Sequence, residues 1–359
     1  MGTPLDLSPD DYWGDFTRTK DQFRSFISET GFRGVRIDAP ALVPLDRRDS
    51  APVVGYYVRS LREDVEVDAE RQMLVAALDL ATKQLRLGLA LDTGKTPASR
   101  ARPSGADPGE GATFNGFSSD LRLQLDLPWE KRKYLIAFLL REHVSNPVLM
   151  ELGSPPTAYR DPAVEAFLAE QRKDAPVVPP LPIEPLPMPE SGVTFERVSR
   201  SPEVPKEPGI ALTVERVAVA KRGSSCLCFG SFRLPVTVGE LVRPDARTGQ
   251  VPEVGDANAK AVVPISLAIT GSVSPGPWVV ELRVPSYDAV PPPKGAPPPD
   301  AEAGVVTGHF ALDLFAHPDM PRQPMTYFIT VFAGRSVSGP FQTAVVTEKM
   351  LRDAGVEPT

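Results

Sequence analysis

The chain predicts an all-β fold of two tandem antiparallel sandwiches. A repeat, a strand-type alternation inside it and a high proline content carry that reading. Residues 116–148, GFSSDLRLQLDLPWEKRKYLIAFLLREHVSNPV, recur without a gap as 309–341, HFALDLFAHPDMPRQPMTYFITVFAGRSVSGPF, at an offset of 193. Ten of the 33 pairs are identical, among them Phe117/Phe310, Asp120/Asp313, Pro128/Pro321, Tyr134/Tyr327 and Ser145/Ser338. A fixed period sets the architecture, so the chain reads as an internal duplication of one domain. Proline makes up 41 of 359 residues, about twice the usual ~5%, which disfavours long helices and favours turns, edges and linkers.

Within the repeat, Tyr134, Ile136, Phe138 and Leu140 alternate with a second row, as do Tyr327, Ile329, Val331 and Ala333. Side chains of a strand point to opposite faces, so one row faces a core. The second row is also partly apolar, which predicts a further layer over that face. Upstream, Leu121, Leu123 and Leu125 alternate with Arg122, Gln124 and Asp126 and predict a half-buried strand. A turn holding Asp126 and Pro128, and again Asp319 and Pro321, follows. The same offset lays residues 85–91 on 278–284 and 73–80 on 266–273. Further strands are expected over 34–43, 53–61, 211–220, 229–236 and 261–269, and a short helix over 347–353.

The pattern Leu127-Pro128, Tyr134-x-Ile136-x-Phe138 and Ser145-x-Pro147 resembles the late strands of fibronectin type III and related immunoglobulin-like sandwiches. Met320-Pro321, Tyr327-x-Ile329-x-Val331 and Ser338-x-Pro340 are similar in the same way. The resemblance spans about 30 residues per copy and implies a fold alone, since sandwiches host many functions.

The expected organisation is an N-terminal helix over 1–31, a first sandwich over 32–157, a short helix and proline-rich linker over 158–190, and a second sandwich over 191–359. Ser8-Pro9-Asp10-Asp11 is a helix start, with a serine cap, proline in the first turn and acids at the positive dipole end. Tyr12, Trp13, Phe16, Phe23 and Phe26 then recur at helical spacing. They pack on their own sandwich or anchor a partner, aromatic side chains being common at binding hot spots. Asp161-Pro162 opens the second helix. The run APVVPPLPIEPLPMP over 175–189 predicts a semi-rigid polyproline spacer.

Net charge −7 lacks the basic balance of a nucleic-acid surface. The first residues lack the basic and apolar regions of a signal peptide, and no apolar run is long enough to span a membrane. A cytoplasmic protein is the expectation. Two cysteines exclude a disulfide framework.

Motifs for chemistry are sparse. Thr93-Gly94-Lys95-Thr96 lacks the earlier glycine and the following helix of a phosphate loop. The three histidines, His143, His309 and His317, form no catalytic motif. Cys226 and Cys228 stand at i and i+2 of one strand and so share a face. With His309 and His317 they would offer four ligands to zinc or copper. Alternatively they are a buried apolar row with Phe232 and Leu234. These readings predict a non-catalytic protein-binding or scaffold protein, with a protein partner or self-association and no cofactor. The alternatives are a metal-handling accessory protein using Cys226 and Cys228, or an enzyme whose site lies in the long loops over 93–115 and 287–308.

Overall fold

A computed structural model describes residues 32–45, 50–60, 72–90, 112–153, 185–241, 261–273, 277–288, 297–299 and 301–356. The helices expected near Ser8 and Asp161 lie outside the described residues. The chain divides into two compact units, Met1–Leu80 with Arg86–Pro182, and Ala81–Leu85 with Ile183–Thr359. The fold is all-β. Among the described residues no helix is long and apolar enough to cross a membrane.

The first unit holds β1 (Gly34–Asp38), β2 (Leu42–Pro44), β3 (Pro52–Ser60), β4 (Leu74–Asp79), β5 (Leu85–Leu89), β6 (Ala112–Asp120), helix α1 (Leu121–Leu125), β7 (Arg132–Leu140), β8 (His143–Val144) and β9 (Val148–Gly153). Its sheets run β1-β3-β6 and β2-β9-β7-β4-β5, with β8 on β7. The second unit holds β10 (Pro185–Pro187), β11 (Val193–Thr194), β12 (Gly209–Val214), β13 (Val217–Val219), β14 (Leu227–Thr237), β15 (Ala261–Gly271), β16 (Trp278–Ser286), β17 (Glu302–Asp313), β18 (Met325–Ala333), β19 (Ser336–Val346) and helix α2 (Glu348–Asp353). Its sheets run β11-β17-β14-β12 and β10-β16-β15-β18-β19-β13. In each unit one sheet joins the first, second and fifth long strands, and the other the third, fourth, sixth and seventh. That order agrees with the fibronectin type III-like sandwich suggested by the late-strand motifs.

The pairing recurs residue by residue. Gly34 faces Val58 in one unit and Gly209 faces Arg233 in the other. Leu42 lies parallel to Glu151, and Val217 to Ala344. Ile136 faces Val148, and Ile329 faces Phe341. Tyr134 and Tyr327 take corresponding places, opposite Met150 and Thr343. Even a close approach recurs. A Cβ at Gly55 would stand 2.6 Å from the Phe117 ring, and one at Gly230 would stand 2.1 Å from the Phe310 ring. Glycine at both places lets an aromatic ring of the neighbouring strand lie flat on the backbone.

The core of the first unit gathers Val35, Ile37, Val53, Tyr57, Val75, Ala77, Phe117, Tyr134, Ile136 and Phe138. Phe117 and Phe138 meet across the two sheets with ring centroids 5.2 Å apart, and burying each ring contributes about 1.5–3 kcal/mol. The core of the second unit gathers Cys228, Phe232, Leu234, Ile265, Leu267, Ile269, Phe310, Tyr327 and Ile329. The second row of β7 (Leu135, Ala137 and Leu139) is buried as well, as is that of β18 (Phe328, Thr330 and Phe332).

Three local readings need correction. Residues 121–125 form a helix, not a strand. Leu121 and Leu125, four apart, are buried on one side while Leu123 is 43% exposed, which is helical spacing. Asp120 starts that helix by accepting from the Arg122 amide, and left-handed Asp126 ends it. Second, the offset of 193 fails for β15. Val75 and Ala77 face the core, as do Leu267 and Ile269, so the offset there is 192. A slip of one residue would have turned every side chain to the other face. Third, the proline run does not end as a free spacer. Leu186 lies parallel to Val280 in β10, and prolines tolerate such an edge because it requires few donors. Helix α2 forms as expected, with Thr347 accepting from the Met350 amide.

One carboxylate in each unit ties the second strand to the crossing that leaves the fifth. Asp120 accepts from the amides of Ala51 (2.9 Å) and Arg122 (3.1 Å), and the Leu121 amide donates to the Ala51 carbonyl (2.9 Å). Asp313 accepts from Cys226 (2.8 Å) and Phe315 (3.0 Å), and the Leu314 amide donates to the Cys226 carbonyl (2.9 Å). Burial pushes the Asp120 carboxyl above its usual range, against the pull of these amides. Asp120→Ala and Asp313→Ala each strand two backbone donors at the sheet crossing. Each is expected to lower stability by about 1–3 kcal/mol, read as a lower urea midpoint with unchanged slope.

Candidate functional site

Tyr12, Trp13, Phe16, Phe23 and Phe26 lie outside the described residues. The four proposed metal ligands are described, and they do not converge. Cys226 and Cys228 are free thiols, each at most 1% exposed, in the core of the second unit. Cys226 Sγ lies 3.9 Å from the Thr343 hydroxyl. His309 faces Ser231 in the β14–β17 ladder, whereas Phe310 and Leu312 point to the core with Cys228. Strand alternation therefore puts His309 on the opposite face of the sheet from both cysteines. His317 is buried, and its Nδ1 accepts from the Asp319 amide at 3.1 Å. Among the described residues, no three His, Cys, Asp or Glu side chains gather as a metal site. The cysteines are apolar core groups. Burial pushes the Cys226 thiol up to about 11, and Cys228 well above its usual value.

Two arginines of the first unit also carry buried nitrogens without a hydrogen bond. Arg59 is the penultimate residue of β3, on the row of Val53 and Tyr57, which faces the core. It is 1% exposed, and none of its three guanidinium nitrogens has a hydrogen-bond partner. Its counterpart in the second unit, by the register that pairs Val58 with Gly34 and Arg233 with Gly209, is Leu234, a core residue. Arg141 stands in the turn between β7 and β8 with φ 50°, where its counterpart is Gly334 with φ 56°. A non-glycine residue there is under backbone strain, which concentrates at functional positions. Arg141 Nε is buried without a hydrogen bond, 4.0 Å from the Glu142 carboxylate. Glu142 in turn lies 3.7 Å from His143.

Both arginines belong to one end of the first unit. Val58, the neighbour of Arg59, faces Gly34. A Cβ on Gly34 would stand 3.4 Å from His143 Nδ1, and His143 pairs with Leu140 across the turn that holds Arg141. Three residues along, Asn146 clasps β1, its Oδ1 accepting from the Ile37 amide (3.0 Å) and its Nδ2 donating to the Ile37 carbonyl (2.9 Å). The β7–β8 turn is thus held against the start of β1, the strand whose Gly34 pairs with Val58 of β3. Sequence reading missed Arg59 because 193 is the wrong offset for β3. At the structural offset of 175, which carries Ala51 onto Cys226, an arginine falls on a leucine in an otherwise apolar row.

A two-domain fibronectin type III segment from chicken tenascin covers 86% of this chain and 95% of its own, at 9% identity and TM-score 0.15. A BSP domain of a biofilm-associated protein covers 87% of this chain and 58% of its own, at 6% identity and TM-score 0.13. At those scores the fold assignment rests on strand order and register, not on either likeness. No protein-family model and no curated protein matches the sequence.

Two expectations follow. Folding raises the Cys226 thiol from 9.0 to about 11, so the unfolded chain loses that proton first. Its contribution to stability is therefore intact below pH 9 and fades as pH rises towards 11. Native protein at pH 8 should resist thiol alkylation until denaturant is added, as counted by mass spectrometry. Replacing left-handed Arg141 by the glycine of its counterpart, Arg141→Gly, should raise stability by about 0.5–1 kcal/mol in chemical denaturation.

Proposed function

We propose that this chain is a non-catalytic binding or assembly protein whose two β-sandwiches arose by duplication of one unit. The observation that carries this reading is the pair of matching carboxylate clasps, Asp120 on Ala51 and Asp313 on Cys226. Each makes the same hydrogen bonds at the same point of the strand order. Two copies of one frame, satisfied internally in the same way, provide a scaffold on which ends and additions differ. The first copy carries the differences. It has the buried Arg59, the left-handed Arg141 and, before β1, an aromatic segment with no counterpart in the second.

In this reading Tyr12, Trp13, Phe16, Phe23 and Phe26 form the contact surface for a protein partner or a second copy of the chain. Aromatic side chains bury large areas at low entropic cost, which suits them to anchor an interface. A reducing, cytoplasmic setting belongs to the same proposal, being compatible with two thiols that remain free in the core.

The test compares full-length protein with a form lacking residues 1–31, by light scattering across a concentration series and by affinity capture from native lysate with crosslinking. Expected is self-association, or a stoichiometric partner crosslinked to the aromatic segment, in the full-length chain and loss of that species in the truncation. A full-length chain that stays monomeric and carries no crosslinked protein overturns the proposal.

A further inference from the structure

We propose that Arg59 is the anchor of an oxyanion site at the loop-bearing end of the first unit, taking a small carboxylate or phosphate. The inference rests on reading that end as the part of the scaffold given to binding.

Arg59 occupies a core row and is 1% exposed. A guanidinium withdrawn from water to that degree is strongly disfavoured unless an anion or a set of acceptors satisfies its donors. Here Nε, Nη1 and Nη2 all lack an acceptor from the protein. The position does not need a charge for packing, because Leu234 fills the corresponding place in the second unit, also at 1% exposure. The frame that holds Arg59 is fixed, with Arg59 opposite Thr113 on β6 and its neighbour Val58 opposite Gly34 on β1. Its donors call for a set of acceptor oxygens.

The shape of a fitting group follows from the donors. A guanidinium offers parallel N–H bonds in one plane, which match two oxygens of a carboxylate or phosphate. A second arginine, paired with Glu142, belongs to the same end. Arg141 Nε is buried without a hydrogen bond in the β7–β8 turn, and β8 abuts the start of β1 through His143 and Gly34. Arg141 also holds its left-handed turn where the other unit has Gly334. Arg59 stands where the other unit has a leucine, with all three nitrogens buried and without a hydrogen bond, whereas the charge of Arg141 is already paired with Glu142. Anion binding gives Arg59 the acceptors that the frame does not supply.

The test is thermal unfolding of the full chain in inorganic phosphate and in acetate, each against chloride at equal ionic strength. Wild type should show a saturating rise of roughly 2–5 °C in at least one of the two. A response to phosphate alone assigns a phosphate ligand, and a response to both assigns a carboxylate-type fork. Arg59→Leu, which installs the residue of the second unit, should unfold no earlier than wild type in chloride and show no anion response. Arg59→Lys keeps the charge but not the planar fork, and should lose most of the response even if the leucine variant fails to fold. Equal responses in wild type and Arg59→Lys, or no response of wild type to either anion, overturn the proposal. These are properties of the purified chain, so they stand or fall apart from the partner-capture result.

Discussion

Each unit turns on one carboxylate that a sandwich cannot readily do without. The chain must leave the fifth strand of one sheet and enter the other, and at that crossing two amides per unit take a side-chain oxygen as partner. Asp120 and Asp313 supply one. Each takes the amide ahead of the second long strand and the amide that begins the short helical turn, fixing where the crossing starts. The helical turn then projects Leu121, or Leu314, into the core, and the chain enters β7 or β18 in register. Buried backbone donors must be paired, so the side chain that pairs them sets the geometry of everything after it.

Beyond that crossing the two units solve the same problems with different residues. The Tyr327 hydroxyl lies 3.1 Å from the Pro321 carbonyl and 3.3 Å from that of Gln323, pinning the turn back onto β18. Tyr134 is fully buried in the matching place, yet its hydroxyl makes no hydrogen bond. Burial pushes it up to about 12. There the turn is held instead by Arg132, which pairs with both Asp79 and Glu130. The second unit also recruits the chain ahead of it, adding β10 beside β16 and β11 beside β17. A strand so placed uses edge hydrogen bonds that would otherwise be open to other chains.

Much of this frame was legible in the sequence and some was not, for identifiable reasons. The gapless stretch was legible because β6, β7, β8 and β9 keep one offset from β17, β18 and β19, so identities such as Tyr134/Tyr327 line up without adjustment. The first strands were hidden by a change of offset. The loop between the second and third strands is seventeen residues longer in the second unit, as the step from 175 to 192 requires. Gly55 and Gly230 therefore never fall opposite each other at 193. Leu121, Leu123 and Leu125 misled because positions i, i+2 and i+4 satisfy a strand template, whereas burial follows only i and i+4. The local sign of the helix is the N-capping Asp120, a weak signal in a stretch that also fits a strand. The cysteines were read correctly as sharing a face, but His309 sits one residue from the core row, and alternation takes it away.

The arginines were invisible for a deeper reason, which bears on how such a protein is read at all. Alternation tells which face a side chain takes, and Arg59 falls on the core face by the plainest count from Val53 and Tyr57. Read alone, a charged residue at the end of a strand is assigned to solvent. Only the second unit supplies the comparison, because it states what the frame itself requires at that place, and what it requires is leucine. A buried charge destabilises a core unless its donors are matched. In the proposed site, an oxyanion offsets the cost of holding Arg59 there. The matching frame of the second unit thus supplies an internal control: residues common to both units report on folding, and a costly departure in one unit points to what that unit contacts.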